Sequence, residues 1–122
     1  MMNNKERGAL GEEIAAEYLR SIGYEILDRN FSVRGGEMDI IALDGDVVVF
    51  VEVKTRLGNE PPGTDVMDTG KYDRMTKCIE LYSLVKKDTI GDRKVRYDYM
   101  EIRFRDGMGS TPEIFHGKNS YV

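Results

Sequence analysis

The chain has almost nothing from which to build a thiol or imidazole site. Among its 122 residues there is one cysteine, Cys78, and one histidine, His116. A single cysteine excludes an internal disulfide, and with one histidine it leaves no zinc site of familiar spacing. The same count excludes metal chemistry that needs a histidine pair. No Gly-x-x-x-x-Gly-Lys-Ser/Thr loop occurs, so nucleotide hydrolysis of the P-loop type is excluded too. No run approaches ~20 apolar residues, and no membrane-spanning segment is expected. The first residues, Met1-Met2-Asn3-Asn4-Lys5-Glu6-Arg7, lead into an amphipathic helix without an apolar signal segment. Cytoplasmic residence is the resulting expectation. Repeats and low-complexity tracts are absent.

What is present is ordinary in bulk and uneven in detail. A content of 40% hydrophobic and 33% charged residues suits one globular domain spanning residues 1–122. The net charge of −4 and a pI near 5.1 count against a nucleic-acid partner. Residues 1–58, however, hold seven Lys/Arg against eleven Asp/Glu, whereas residues 59–122 hold eleven of each. The acidic excess is confined to one half. Clustered carboxylates are what a Mg²⁺ site needs, and a bound ion inverts the local electrostatics.

Hydrophobic periodicity predicts a first helix over residues 5–22, with Leu10, Gly11, Ile14, Ala15, Tyr18, Leu19 and Ile22 on one half of the wheel and Gly23 ending it. Strands follow over residues 24–33 and 37–43, joined by a turn at Arg34-Gly35-Gly36. Asp44-Gly45 signals a hairpin into a third strand over residues 46–54. A loop over residues 55–69 contains Pro61, Pro62, Gly58 and Gly63, and a loop of that length is usually functional or disordered. A second helix is predicted over residues 70–87, with Met75, Cys78, Ile79, Tyr82 and Val85 inward. A strand over residues 95–104 and a short edge strand over residues 113–116 complete the order. Helix, three-strand meander, helix and strand describe an α/β mixed sheet flanked by helices, not a doubly wound one.

The third strand carries the chemistry. Val47-Val48-Val49-Phe50-Val51-Glu52-Val53-Lys54 is nearly all aliphatic, the pattern of a central strand covered on both faces. With a side-chain period of two, Val48, Phe50, Glu52 and Lys54 share a face. Burying those charges costs several kcal/mol unless they are paired, hydrogen-bonded or bound to metal. Asp39, on the neighbouring strand of the hairpin, falls within reach of the same ion. Mg²⁺ often takes one or two carboxylates plus phosphate and water, which Asp39 and Glu52 satisfy; with Val53 they are the expected metal ligands. Lys54 then orients or polarises the attacking water and neutralises developing phosphorane charge. A salt bridge at a strand end is the structural alternative for Glu52 and Lys54, and a turn-stabilising role is the alternative for Asp39. Glu37 is either a further ligand or the partner of a basic residue.

Glu12 lies at the border of the apolar arc of the first helix and can look toward the sheet, or merely compensate the helix dipole. Arg56, Lys71 and Arg74 flank the proposed site and are the candidate phosphate contacts; for Lys71 the alternative is a snorkelling side chain. Asp92-Arg93-Lys94 repeats the Asp/Glu-x-Lys pattern in a polar link and is read as solvated. Cys78 is read as core, and His116 as isolated, without a general-base role.

Taken together, Gly11-Glu12 before Ala16 and Tyr18-Leu19, Gly36-Glu37-x-Asp39-Ile40-Ile41-Ala42, and Val49-Phe50-Val51-Glu52-Val53-Lys54-Thr55-Arg56 resemble the YraN-like family of uncharacterised bacterial proteins over nearly the full length. Lys71, Arg96-Tyr97-Asp98 and His116-x-Lys118-Asn119 fit more loosely. Met38 departs from the usual aliphatic residue, and Val66-Met67-Asp68-Thr69-Gly70 fits the pattern poorly. That family in turn resembles the restriction-endonuclease-like superfamily of PD-(D/E)xK nucleases, which includes archaeal Holliday-junction resolvases. The resemblance implies a restriction-endonuclease-like fold, with Asp39, Glu52 and Lys54 as the metal-and-lysine core and Glu12 as an auxiliary acid. The expected activity is Mg²⁺-dependent hydrolysis of DNA, branched or flapped, with Mn²⁺ as an alternative ion. A unit of this size cutting both strands must act twice, which points to a homodimer. The rival readings are a DNA-binding module that keeps the fold without cutting, and a structural protein whose charged triad is an ion-pair network.

Overall fold

The computed structural model describes residues 2–61 and 69–120, with the backbone path alone for residues 69–72, 119 and 120. Helix α1 spans Asn4–Ser21, followed by β1 Glu25–Val33, β2 Gly36–Asp44, β3 Val47–Leu57, α2 Thr69–Val85, α3 Lys87–Ile90, β4 Val95–Phe104 and β5 Glu113–Ser120. The strands form one sheet in the order β1-β2-β3-β4-β5. All neighbours run antiparallel except β3 and β4, which are parallel and so need the helical crossover that α2 and α3 supply. This is an α/β mixed sheet flanked by helices, the restriction-endonuclease-like arrangement the resemblance implied. Among the described residues no helix is long and apolar enough to cross a membrane.

Local chemistry accounts for the first element. Asn3 caps α1: its side chain accepts from the Glu6 N–H at 2.9 Å while the Glu6 carboxylate accepts from the Asn3 N–H at 3.1 Å, a capping box that satisfies two otherwise orphaned donors. At the other end Gly23 adopts φ +96°, and the Gly23 and Tyr24 N–H groups bond back to Arg20 and Leu19. That left-handed step is cheap only for glycine, and it turns the chain directly into β1.

Two cores sandwich the sheet. Ala15, Ala16 and Leu19 of α1 pack with Ile40, Ala42, Val49, Val51, Val53, Met100 and Ile102 on one face. Met75, Cys78 and Tyr82 of α2 pack with Met38, Ile41, Val48, Phe50 and Tyr97 on the other. The expected alternation of β3 therefore holds, with odd-numbered valines toward α1 and Val48 and Phe50 toward α2. Cys78 is core, as read. Ile22 and Val85 are not inward: they are 45% and 67% exposed. Both stand at or beyond the carboxyl ends of their helices, where periodicity continues but packing against the sheet has stopped.

Element lengths differ from expectation where tertiary pairing decides them. β3 runs on to Leu57, so Thr55 and Arg56 are strand and not loop, because β4 pairs with it as far as Leu57↔Phe104. The second helix stops at Val85, and a separate turn of helix, α3, follows. β5 extends to Ser120 because its polar end stays paired to β4, through Arg96↔Ser120. Residues 62–68 of the long loop lie outside the described residues.

Candidate metal and nucleic-acid site

The site arises where the sheet forks. The β2–β3 ladder closes with Ile40↔Val51; beyond it β2 stays with β1 as far as Val33↔Gly36, while β3 continues along β4. The alternation of β2 slips at the same point, since Met38 packs toward α2 but Ile40 toward α1. Asn30, which falls opposite Asp39 between the Arg29↔Ile40 and Phe31↔Met38 pairs, holds φ +54°. A left-handed non-glycine residue marks an irregular strand, and here it coincides with the slip that turns Asp39 into the fork. The Asp39 carboxylate replaces the missing ladder bond: its Oδ2 accepts from the Val53 N–H at 2.7 Å.

Asp39, Glu52 and Lys54 consequently line one cavity of about 320 Å³, with Glu37, Met38, Val53, Arg74 and Met75. A second cavity of about 300 Å³ lies against α1 and meets the first at Val53 and Lys54; Arg7, Glu12 and Thr55 are among its walls. Gly11 lets α1 approach this closely, because a methyl group there would overlap the Thr55 hydroxyl. The first-helix glutamate thus reaches the site from the opposite side of β3.

The electrostatics are those of crowded carboxylates. Burial is the main force on Asp39; the Val53 hydrogen bond opposes it, and the charges of Glu12, Glu52 and Glu37 reinforce it, so that its carboxyl is pushed up to about 7. Burial also raises Glu12, with Arg29 and a hydrogen bond from Asn30 opposing and Glu37 adding to the rise. Lys54 Nζ lies 3.7 Å from Glu52 Oε1, an ion pair too long for a direct hydrogen bond. The other Glu52 oxygen, Oε2, accepts a hydrogen bond from the buried Tyr97 hydroxyl.

Hard oxygens set against mutual repulsion make a donor set that suits a divalent cation. Among the described residues no group of three His, Cys, Asp or Glu side chains is close enough to hold a metal ion. Glu37, Asp39 and Glu52 all line the one cavity, and such carboxylate oxygens are of the kind Mg²⁺ takes from protein when phosphate and water complete its shell.

The profile of the uncharacterised protein family UPF0102 matches residues 11–102, a span that includes Glu12, Asp39, Glu52 and Lys54. The chain belongs to that family. Similar proteins, each named UPF0102 protein, include one from Clostridium tetani that is 46% identical over 84% of both chains. One from Dictyoglomus thermophilum is 43% identical over 83% of this chain and 85% of its own. One from Rhodococcus opacus is 40% identical over 99% of this chain and the whole of its own. Membership bears out the YraN-like resemblance, and the family carries no assigned activity.

The basic candidates fare differently within this UPF0102 chain. Arg74 lines the Asp39 cavity. Arg56 shares a face of β3 with Lys54 but is drawn to Glu101 at 3.7 Å, which Arg103 also holds at 3.0 Å. The Lys71 side chain lies outside the described residues. His116 is not isolated: its Nε2 sits 2.7 Å from Asp98 Oδ2, in a buried cluster with Arg96 and Tyr24. Burial alone would raise Asp98, but the bonds from His116 and Arg96 outweigh it and hold the carboxyl low. This cluster pins β5 to β4 on the α1 face, away from the fork. Arg7 and Tyr97 are not site candidates in the sequence, although Arg96-Tyr97-Asp98 fits the family pattern loosely. No pattern marks Arg7, whereas Tyr97 shares a strand face with a core position and is recognisable only through the β3–β4 register.

Proposed function

We propose that the chain is a Mg²⁺-dependent phosphodiesterase acting on DNA, with branched or flapped forms as the substrate class. The observation that carries this reading is the convergence of Asp39, Glu52 and Lys54 on one cavity at the forked end of β3. An ion-pair network explains it less well, because a purely structural cluster would gain nothing from a carboxyl whose pKa is driven to about 7 by burial and neighbouring acids. Asp39 and Glu52, with the Val53 main chain, would hold Mg²⁺, or Mn²⁺ in its place. Bound there, the ion would supply Lewis-acid polarisation of the phosphate and a more acidic water.

The chain's own residues account for the remaining work. Lys54 presents a positive charge beside Glu52, where it orients the attacking water and offsets charge developing on the phosphate oxygens. Glu12, on α1, would act as an auxiliary acid that accepts a proton or holds a water. Arg74, which lines the cavity, takes a flanking phosphate, with Arg56 and Lys71 as further candidate contacts. Action on both strands calls for two copies, and a cytoplasmic site of action completes the proposal.

The test is incubation of single-stranded, duplex, flap and four-way-junction DNA with Mg²⁺ or Mn²⁺. Metal-dependent cutting of at least one substrate, lost in Asp39→Asn and in Glu52→Gln, is the expected result. Binding without cutting would indicate a module that keeps the fold alone. Neither binding nor cutting would remove nucleic acid from the account.

A further inference from the structure

Tyr97 sits at 0% exposure in the α2-side core, among Val48, Phe50, Met75 and Tyr82. A phenylalanine would fill that volume without bringing a polar atom into an apolar cluster. The hydroxyl needs a partner there, and it donates a hydrogen bond to Glu52 Oε2. The parallel register creates the contact. Phe50 is the residue paired with Tyr97, so the ring lies along β3 and its tip reaches the next side chain on that face, Glu52.

We infer that Tyr97 is a positioning residue for Glu52, its hydroxyl fixing which carboxylate oxygen is presented to a divalent cation. Glutamate has three rotatable bonds, and in an acidic cavity its carboxylate is pushed away from Asp39. Tyr97 anchors Oε2 toward the interior and leaves Oε1 on the Lys54 side. Asp39 is held in the same manner, its Oδ2 tied to the Val53 N–H. At least one oxygen of each acid is thus held by a protein donor before any ligand arrives. Groups that orient a ligating side chain in this way typically contribute a factor of about 10–100 in metal affinity or activity. The inference rests on the metal-binding reading above and extends it to a residue that touches neither substrate nor ion.

The experiment is a calorimetric titration of the full chain with Mn²⁺, comparing wild type, Tyr97→Phe, Tyr82→Phe and Glu52→Gln. Tyr82→Phe is the control: it also removes a hydroxyl from the same core, one that donates to Asp28 at 2.7 Å. Tyr97→Phe is expected to weaken Mn²⁺ binding by about 10-fold or more, with Tyr82→Phe binding as wild type does. An unchanged Mn²⁺ affinity in Tyr97→Phe would overturn the inference while leaving the metal site standing. Equal weakening in both tyrosine variants would also overturn it, since a general loosening of the core would then be the cause. Wild type that takes up no Mn²⁺ saturably, or Glu52→Gln that binds as well as wild type, would overturn the metal reading and this inference with it.

Discussion

Replacing Asp39 by Asn should make the metal-free protein more stable, by an amount that grows as pH rises from about 4 and is full above about 7. Burial and the charges of Glu12, Glu52 and Glu37 push this carboxyl from 3.8 to about 7. In the folded chain ionisation is therefore resisted, whereas the unfolded chain ionises freely. Between those two values the folded state holds the extra proton, so stability falls as pH rises from about 4 to about 7 and stays low above that. Three or so pKa units correspond to a ceiling of about 4 kcal/mol. Asp39 is only half-buried, and water access brings the expected gain nearer about 2 kcal/mol. The amide keeps the useful part of the geometry, because its oxygen can still accept from the Val53 N–H. Urea unfolding in EDTA, at pH 8 and again at pH 4, measures the effect. The variant should be the more stable at pH 8, and the difference should shrink at pH 4. Millimolar Mg²⁺ should then stabilise wild type but not the variant, by mass action on the folded state. A variant that is less stable than wild type at both pH values would refute the crowded-carboxylate account and favour an ion-pair network that needs the charge.

Three further outcomes test other parts of the structure. On an Asp39→Asn background that prevents cutting, Arg74→Ala should flatten the log–log salt dependence of DNA binding by about 0.7–0.9; an unchanged slope in a filter-binding or anisotropy assay would place nucleic acid elsewhere. Gly11→Ala forces a methyl onto Thr55 and should destabilise by about 1–3 kcal/mol through overpacking; an unchanged urea midpoint would contradict the close approach of α1 to β3. Asp98→Ala leaves Arg96 with Asp44 as its remaining acid partner and should destabilise at neutral pH by less than the about 3–5 kcal/mol of an uncompensated buried charge. Because the folded pKa of Asp98 is depressed, its contribution is fully present above the ordinary aspartate value and is lost as pH falls through the folded one. The gap between wild type and variant should therefore close in acid, and a constant gap would refute the assignment.

Much of the site was legible because charge in an aliphatic strand is costly wherever it occurs. Glu52 and Lys54 stood out against Val47–Val51 on that ground alone, and the Asp44-Gly45 hairpin placed Asp39 beside them. Glu12 was readable as a border residue of an amphipathic arc. The reach of β3 through Arg56 was not, since a polar Thr-Arg pair after a hydrophobic run looks like a loop until β4 pairs with it. β5 was cut short for the same reason, its Gly117-Lys118-Asn119 end having the composition of a turn. His116 was misread as isolated because its partner, Asp98, is adjacent only across the β4–β5 ladder.

The sequence by itself determined the periodicities and therefore the elements: a capped helix, two tight hairpins, a twice-buried central strand bearing Glu52 and Lys54, and Asp39 on its neighbour. These are local properties, set by the 3.6 and 2.0 repeats and by what glycine, asparagine and aspartate do at turns. Only the tertiary structure decided the fork between β2 and β3, the slip at Asp39 opposite Asn30, and the parallel register of β3 with β4. Those depend on which strands end up neighbours, an outcome of packing two helices against opposite faces of one sheet. The fork turns Asp39 into the cavity, the register brings the Tyr97 hydroxyl to Glu52, and burial between them raises the Asp39 carboxyl. No pattern along the chain encodes those distances, because each joins residues that become neighbours only when the sheet closes.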